Sequence, residues 1–155
     1  MLALALDQLA KYLAVAHLTG HAPVKLLGGA AYLYLTRNSG AAFSLAGGYT
    51  FVFPVISIIV VGWIAWMVRR LRSVPWAISL GLVLGGALGN LTDRLFRAPG
   101  PFRGHVVDFV SLFADRGQHF PIFNVADMAL TFGVIIAILL ELTGRRRDGT
   151  RVNNP

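Results

Sequence analysis

Long apolar stretches separated by short polar segments dominate the pattern of hydrophobic and polar positions along the chain. Positions 49–68 hold 20 residues without a single charge. The stretches at about 75–95 and 122–142 are equally long, and each contains only two charged residues. A transmembrane helix needs about 20 mostly apolar residues. The pattern therefore predicts three membrane-spanning helices over these positions.

The first 18 residues are also apolar, apart from Asp7 and Lys11. A secretory signal peptide is the alternative interpretation, but it needs a basic n-region and an uninterrupted apolar core. Neither is present here, so positions 1–18 are predicted to form a fourth span. Since 18 residues beginning at Met1 make a short span, we expect the natural start to lie upstream.

The composition agrees with a membrane protein. Hydrophobic residues make up 55% of the chain and charged residues 14%, against about 25% charged in typical soluble domains. Fourteen Lys and Arg against seven acids give a net charge of +7. A basic nucleic-acid binder would not be this apolar, so we expect no nucleic-acid partner. The chain has no cysteine, which excludes disulfides, thiolate metal sites and a cysteine nucleophile.

Arginines predict the orientation, because cytoplasmic loops of membrane proteins are enriched in Lys and Arg. They cluster in the connection at 69–74 and in the tail at 143–155, so both segments and both termini are predicted to be cytoplasmic. The loops at 19–48 and 96–121 then face outward. The whole chain, residues 1–155, is predicted to form one integral membrane domain. The arginines concerned are Arg69, Arg70, Arg72, Arg145, Arg146, Arg147 and Arg151.

The outer loops carry strand-like patterns. Residues 25–35 end with tyrosine and leucine alternating at 32–35, a turn-like segment follows at 37–40, and an apolar segment at 41–45 comes next. This order predicts a hairpin of two short strands on the membrane surface. The segment 105–110, rich in Val and Phe, is a further strand candidate. The polar end, 148–155, is predicted to be disordered.

Several acids have a cation close by in sequence. Asp7 and Lys11 are four residues apart, a spacing that places them on one helix face. Asn90, Asp93 and Arg94 lie together at the end of the third span. Adjacent Arg94 is the expected partner of Asp93, so both acids are interpreted as structural ion pairs.

Asp108 and Asp127 lack such partners. No Lys or Arg lies within ten residues of Asp127, and Arg103 is the cation nearest to Asp108 in sequence. Asn124 lies three residues before Asp127, on the same helix face. Two acids at one interface can share a proton and serve as base and acid in hydrolysis. The alternative, that each acid only caps a turn or a helix N-terminus, stays open at this point.

Five motifs in chain order resemble those of the bacterial lipoprotein signal peptidases (signal peptidase II). The resemblance covers nearly the whole chain and is specific as a set, although each motif alone is weak. The motifs are Asp7-Gln8-Leu9-Ala10-Lys11, Asn38-Ser39-Gly40-Ala41-Ala42-Phe43-Ser44, Gly85-Gly86-Ala87-Leu88-Gly89-Asn90-Leu91-Thr92-Asp93-Arg94, Gly104-His105-Val106-Val107-Asp108-Phe109 and Phe123-Asn124-Val125-Ala126-Asp127.

The resemblance implies an aspartic endopeptidase of the bacterial cytoplasmic membrane. Its fold would be an all-α bundle of four transmembrane helices with a small extracytoplasmic β-sheet. It would cleave prolipoproteins before a diacylglyceryl-modified cysteine at the outer membrane face, in contact with membrane lipid and as a monomer. By the family pattern, the catalytic pair is Asp108 and Asp127. The residues that bind substrate or orient this pair would be Asn38, Asn90, Arg94 and Asn124. Structural support would come from Asp7, Lys11 and Asp93. The loop at 95–103 is longer than the family pattern suggests.

No metal or cofactor is expected. The four histidines show no ligand spacing such as H-E-x-x-H. They lie at the ends of apolar stretches or in loops, where a lone histidine is ordinarily a polar surface residue. The histidines are His17, His21, His105 and His119.

A small proton-coupled carrier is the main alternative function. Its proton relay would use Asp7, Asp93 and Asp127, since acids within membrane spans are costly and commonly functional. However, these acids would lie toward one side of the bilayer, and the sequence has no inverted repeat of the kind found in transporters.

Two further alternatives are weaker. A serine membrane protease would use Ser39 or Ser44 with Lys25 as base, but the chain has no G-x-S-x-G motif. A purely structural membrane subunit would leave the unpaired acids Asp108 and Asp127 unexplained.

Overall fold

The computed structural model describes residues 1–40 and 51–151, which form four helices and a small sheet. The helices are α1 (Leu2–Leu18), α2 (Val52–Val68), α3 (Val74–Phe96) and α4 (Val125–Leu142), and the strands are β1 (Val24–Leu26), β2 (Ala31–Asn38) and β3 (Val106–Leu112). The predicted helices are all present. Two of them, α3 and α4, are long and apolar enough to cross a bilayer, while α2 is apolar but, with 17 residues, six residues shorter than α3. Apolar helices of this length are typical of a membrane protein.

Helix α3 lies in the centre of the bundle, because glycines let its neighbours approach closely. A Cβ atom added at Gly89 would lie 2.5 Å from the Asp7 carboxylate of α1 and 3.1 Å from Ala126 of α4. At Gly85 it would lie 2.7 Å from the Ala3 side chain. Small residues at helix interfaces serve this purpose in membrane bundles, where packing rather than hydrophobic burial holds the helices together.

The outer face of the bundle is apolar. On α2 only Pro54 and Ile64 are buried, whereas Ile59, Trp63 and Trp66 are each more than half exposed. A water-soluble protein rarely leaves so large an apolar surface uncovered. The surface is suited to contact with lipid acyl chains.

The three strands form an antiparallel sheet in the order β1-β2-β3. The hairpin was predicted between 25–35 and 41–45. Because 41–45 lies outside the described residues, that pairing stays a prediction, whereas 25–35 spans parts of two strands rather than one. The first partner of β2 is β1, which precedes it, because a short 3-10 turn at Leu27–Gly29 reverses the chain. Residues 37 and 38, expected in a turn, continue β2, and 41–45 lies outside the described residues.

Pairing between β2 and β3 brings two site residues together. The strand predicted at 105–110 is confirmed as β3, where Asp108 is paired with Thr36 and Val106 with Asn38. Positions two apart on a strand share one face. Asn38 and Asp108 are therefore diagonal neighbours on the same face of the sheet.

The C-terminal segment is folded back against the bundle as far as Arg151. The prediction of disorder at 148–155 is therefore wrong over 148–151, and positions 152–155 lie outside the described residues. The Arg72 N–H donates to the Arg147 carbonyl at 2.9 Å, and the Trp76 indole N–H donates to the Arg145 carbonyl at 2.8 Å. The Arg147 guanidinium also lies 4.9 Å from the Trp76 ring centroid. Hydrogen bonds between distant parts of the chain cannot be predicted from composition, and the polar composition of this segment predicted disorder.

Candidate active site

The chain just before α4 is fastened to the sheet. Phe123 forms a bridge with Val110 of β3, with N–H to carbonyl distances of 3.0 and 2.9 Å in the two directions. Asn124 follows directly and is the N-cap of α4. The sheet therefore places the start of α4 beside Asp108, which lies on β3 two residues before Val110.

Asn124 joins the two candidate catalytic acids. Its side-chain amide donates to Asp108 Oδ1 at 2.6 Å, and its backbone N–H donates to Asp127 Oδ2 at 3.1 Å. Its side-chain oxygen accepts the Asp127 N–H at 3.0 Å, which completes a capping box. One fully buried residue thus contacts both carboxyl groups. The structure brings Asp108 and Asp127 together, as the sequence predicted.

Asp127 lies in the first turn of α4, where the positive end of the helix dipole favours a negative charge. Its second oxygen, Oδ1, accepts a hydrogen bond from the Asn90 side-chain amide at 2.8 Å. The alternative interpretation of Asp127 as a helix cap is correct as a description of local geometry. It does not compete with a chemical role, because each carboxylate oxygen has a second lone pair.

Asp108 is 2% exposed and is held by two amides. Asn38 Nδ2 donates to Asp108 Oδ2 at 3.0 Å, whereas Asn124 donates to the other oxygen, Oδ1. Burial raises the pKa of Asp108 to about 6; the Asn38 hydrogen bond opposes this increase, and the charge of Asp127 adds to it. An acid in this range can hold a proton close to neutral pH.

Lys11 is a fully buried cation at the centre of a polar network. The predicted ion pair with Asp7 is present at 2.8 Å, and a second one joins Lys11 to Asp93 at 2.9 Å. The ammonium also donates to Asn90 Oδ1 at 3.0 Å. That bond orients the Asn90 amide so that its nitrogen faces Asp127. Sequence spacing predicted only the contact with Asp7.

Asp93 does not pair with Arg94, contrary to the prediction. Its partners are Lys11 and Arg97, whose Nε lies 2.6 Å from Asp93 Oδ1. Residues four apart share a helix face while adjacent residues point about 100° apart, so Arg97 rather than Arg94 can reach Asp93. The Arg94 guanidinium instead donates to the Asn90 carbonyl at 3.2 Å and lies 5.5 Å from the Phe53 ring centroid.

A cavity of about 540 Å³ opens beside the two acids. Its polar lining consists of Asn38, Asp108, Asp127 and Thr131, and the rest is apolar. These apolar residues were not predicted from the sequence as part of the site. Their signal in the sequence was a position within or near the motifs that contain Asp108 and Asp127. They are Leu112, Phe120, Pro121, Ile122, Phe123, Met128 and Phe132.

The polar groups of the site satisfy one another. Among the described residues, no buried side-chain nitrogen or oxygen lacks a hydrogen-bond partner. Within 1–40 and 51–151, no group of three or more His, Asp or Glu side chains is arranged to hold a metal ion. The chemistry that the arrangement supports is proton transfer between the buried carboxyl group of Asp108 and the half-buried carboxyl group of Asp127, at the edge of an apolar cavity.

Residues 1–143 match the family model described as signal peptidase II. The chain belongs to the signal peptidase II family. The match extends over all four helices and the sheet. Family membership agrees with the resemblance seen in the five sequence motifs.

Relatives of the chain are named lipoprotein signal peptidase. One from Mycobacterium avium is 52% identical over 141 residues, covering 91% of this chain and 75% of the relative. One from Rhodococcus jostii is 51% identical over 148 residues, covering 96% and 72%. One solved structure is described as a bacterial membrane enzyme studied by the in meso method at 1.9 Å resolution. It matches this chain with a TM-score of 0.78 and 29% sequence identity, and the match covers 91% of this chain and 88% of the solved one. The fold is therefore that of a membrane enzyme.

Proposed function

We propose that Asp108 and Asp127 are the catalytic pair with which this signal peptidase II, an aspartic endopeptidase, removes signal peptides from prolipoproteins. The observation that supports this most directly is the position of Asn124, which hydrogen-bonds both carboxyl groups at the edge of the apolar cavity. Neither acid has a Lys or Arg side chain within 4 Å in the described part of the chain. This pair therefore remains available for proton transfer.

Asp108 holds the shared proton and Asp127 is ionised in this mechanism. The Asp127 carboxylate takes a proton from a water molecule, whose oxygen attacks the scissile carbonyl carbon. Asp108 gives its proton to the carbonyl oxygen, which forms a neutral tetrahedral intermediate. As the C–N bond breaks, the proton on Asp127 passes to the leaving nitrogen and a hydroxyl proton returns to Asp108. The pair regains its starting protonation state, so the step balances without a metal.

The amides keep the carboxyl groups in position during this cycle. Three side-chain amides each donate to one acid: those of Asn38 and Asn124 donate to Asp108, and that of Asn90 donates to Asp127. Arg94 lines a second cavity, of about 230 Å³, next to Asn90 and Phe53, where its guanidinium is suited to bind a substrate carbonyl. Lys11, Asp7 and Asp93 support these groups from the bundle interior.

The substrate is a diacylglyceryl-modified prolipoprotein in this proposal. The apolar wall of the main cavity provides binding energy for acyl chains, at about 25 cal/mol per Å² of apolar surface removed from water. Binding of these remote groups would hold the scissile amide beside the pair. The enzyme is proposed to work as a monomer with membrane lipid around it and no nucleic-acid partner.

The proposed topology has four spans, with both termini on the cytoplasmic side of the bacterial inner membrane. Support comes from the arginines at 69–72 and 145–151, which lie at the end of the bundle opposite the sheet. By the positive-inside rule that end is cytoplasmic. The acids then lie at the outer membrane face, where water reaches them.

A cleavage assay tests the function directly. The purified protein is mixed in detergent with a diacylglyceryl-modified prolipoprotein and with the same prolipoprotein lacking the lipid. We expect a single cut immediately before the modified cysteine, and little or no cut in the unmodified substrate. Cleavage at other positions, or equal cleavage of both substrates, would contradict the proposed substrate class.

Neither the carrier nor the serine-protease alternative gains support from the geometry. Asp7 and Asp93 of the proposed proton relay are both ion-paired with Lys11. Lys25 pairs with Tyr32 across the β1–β2 ladder, and Ser39 is seven residues further along the chain. At the rise of a strand this is roughly 20 Å, too far for Lys25 to act as base on Ser39. Ser44 lies outside the described residues.

The pH dependence of cleavage should reveal the proton on Asp108. Since the pKa of Asp108 is raised to about 6, the protonated form is lost as the pH rises through that value. We expect kcat/KM to fall at higher pH, approaching tenfold per pH unit well above the bend. A profile from pH 4 to 9 in one detergent measures this. A kcat/KM that instead rises from pH 5 to pH 8 would mean that Asp108 acts as the ionised base.

Asn38→Ala should move that bend. The Asn38 amide favours the ionised form of Asp108, so its removal raises the pKa of Asp108 further. We expect the high-pH decline of kcat/KM to shift upward by about one pH unit. Thr36→Val is the matched control, because Thr36 lies on the same strand face without a hydrogen bond to Asp108. An unchanged profile in Asn38→Ala would exclude this role for Asn38.

A further inference from the structure

The end of the bundle opposite the sheet carries an excess of positive charge. Seven arginines lie between positions 69 and 72 or 145 and 151, and they are accompanied by two acids, Glu141 and Asp148. Within the described residues, none of the seven guanidinium groups has a carboxylate oxygen within 4 Å. The seven are Arg69, Arg70, Arg72, Arg145, Arg146, Arg147 and Arg151. Their charge is available to an anion from outside the chain.

The backbone holds these arginines in a defined arrangement. The tail turns back on itself through a bridge between Arg145 and Arg151 and a hydrogen bond from the Arg146 N–H to the Thr150 carbonyl at 2.9 Å. The bond between Arg72 and Arg147 described above then fixes this turn to the α2–α3 connection. The guanidinium groups are therefore gathered by main-chain bonds rather than spread along a free tail.

Two cavities lie among these side chains. One, of about 280 Å³, is lined by Arg72, Arg145, Arg146 and Arg151 and by no acid. The other, of about 380 Å³, is lined by Arg70, Arg146 and Arg147 together with both acids. Arg146 contributes to both cavities. Each is large enough for a phosphate group and part of what it carries.

An apolar groove meets the cavity lined by Arg70, Arg146 and Arg147. The groove has a volume of about 340 Å³ and lies between α2 and α4 with α3 as its floor. Trp63 and Met67 line it from α2, Trp76 from α3, and Val134 and Ile138 from α4. Arg147 and Glu141 line both the groove and the basic cavity. A ligand with an anionic head and an apolar chain would satisfy both parts at once.

We propose that this end of the bundle binds an anionic phospholipid, with the phosphate among the arginines and an acyl chain in the groove between α2 and α4. Basic pockets beside membrane helices are suited to anionic headgroups. The signal peptide of a substrate is a poor occupant, because its n-region is positively charged and the arginines would repel it. The site is separate from Asp108 and Asp127, and the inference does not depend on their role.

Phosphatidylglycerol is the probe that tests the proposal. The purified protein in neutral detergent is titrated with phosphatidylglycerol or phosphatidylcholine, and lipid-bound protein is counted by native mass spectrometry. We expect preferential binding of phosphatidylglycerol. Each arginine near an anionic headgroup contributes enough to change affinity about fivefold. The double variant Arg70→Gln/Arg146→Gln should therefore bind roughly 25-fold more weakly.

Two further variants separate a specific site from general attraction. Arg103→Gln removes one charge from the sheet end and should leave lipid binding unchanged. Val134→Trp fills the groove from an exposed position on α4 and should weaken binding without loss of charge. Glycerol phosphate, which lacks acyl chains, should bind far more weakly than the lipid. Equal binding of phosphatidylcholine, equal binding of glycerol phosphate, or full binding by the double variant would each overturn the proposal.

Discussion

Asp108→Asn and Asp127→Asn are each expected to reduce prolipoprotein cleavage by on the order of 10³-fold or more, while the protein still inserts and folds. Asparagine keeps the shape of the side chain but can neither hold nor accept the transferred proton. Because the two acids act as one unit, the double variant should be no less active than either single variant. Single-turnover cleavage of a diacylglyceryl-modified prolipoprotein, with the thermal midpoint measured on the same samples, checks both parts.

Asp115→Asn is the matched control for this pair. Asp115 is an acid of the loop between β3 and α4, and its side chain is 46% exposed. Its replacement should leave cleavage unchanged. Turnover retained by either variant of the pair would remove that residue from the catalytic machinery. Loss of activity accompanied by an equal loss of folded protein would assign the acid a structural role only.

Lys11→Met should destabilise the protein by roughly 3–5 kcal/mol, the usual effect of removing one member of a buried ion pair. Methionine fills a similar volume, so the effect comes from charge rather than from a cavity. The change leaves the Asp7 carboxylate buried without a cation, while Asp93 keeps Arg97. Thermal unfolding in detergent and the yield of folded protein measure the loss.

Lys25→Met provides the control, because Lys25 is the other lysine of the chain and lies exposed on β1. It should change stability little. Asp7→Asn added to Lys11→Met removes the stranded charge and should recover part of the stability. If Lys11→Met alone is as stable as the parent chain, the buried network does not hold the bundle together. If the double variant is stable but cleaves slowly, Lys11 also positions Asn90 for Asp127.

The ion pairs of the charged residues within the apolar helices could be predicted from the sequence only in part. Asp7 and Lys11 could be paired from their spacing, since four residues along a helix bring side chains together. Asp93 was assigned to adjacent Arg94, but Arg97 and Lys11 are its partners. The spacing rule already favours Arg97 over Arg94. The contact with Lys11 comes from another helix and has no local signal.

The length of the apolar stretches alone predicted the four helices, because a helix that spans a membrane needs an apolar stretch of that length whatever lies around it. The ordered motifs determined the family and identified Asp108 and Asp127 as the acids of interest. The strand β3 was also predictable from its Val- and Phe-rich pattern. These features depend on residues close together in the chain.

Only the tertiary structure decided how the acids meet. Asn124 touches both carboxyl groups because Phe123 bridges to β3, and Lys11 reaches Asn90 because glycines draw α1 against α3. The partner of β2, the folded tail and its arginine cavities were equally unpredictable. Such contacts join residues up to 119 positions apart, and their geometry depends on helix packing and strand register rather than on any local pattern.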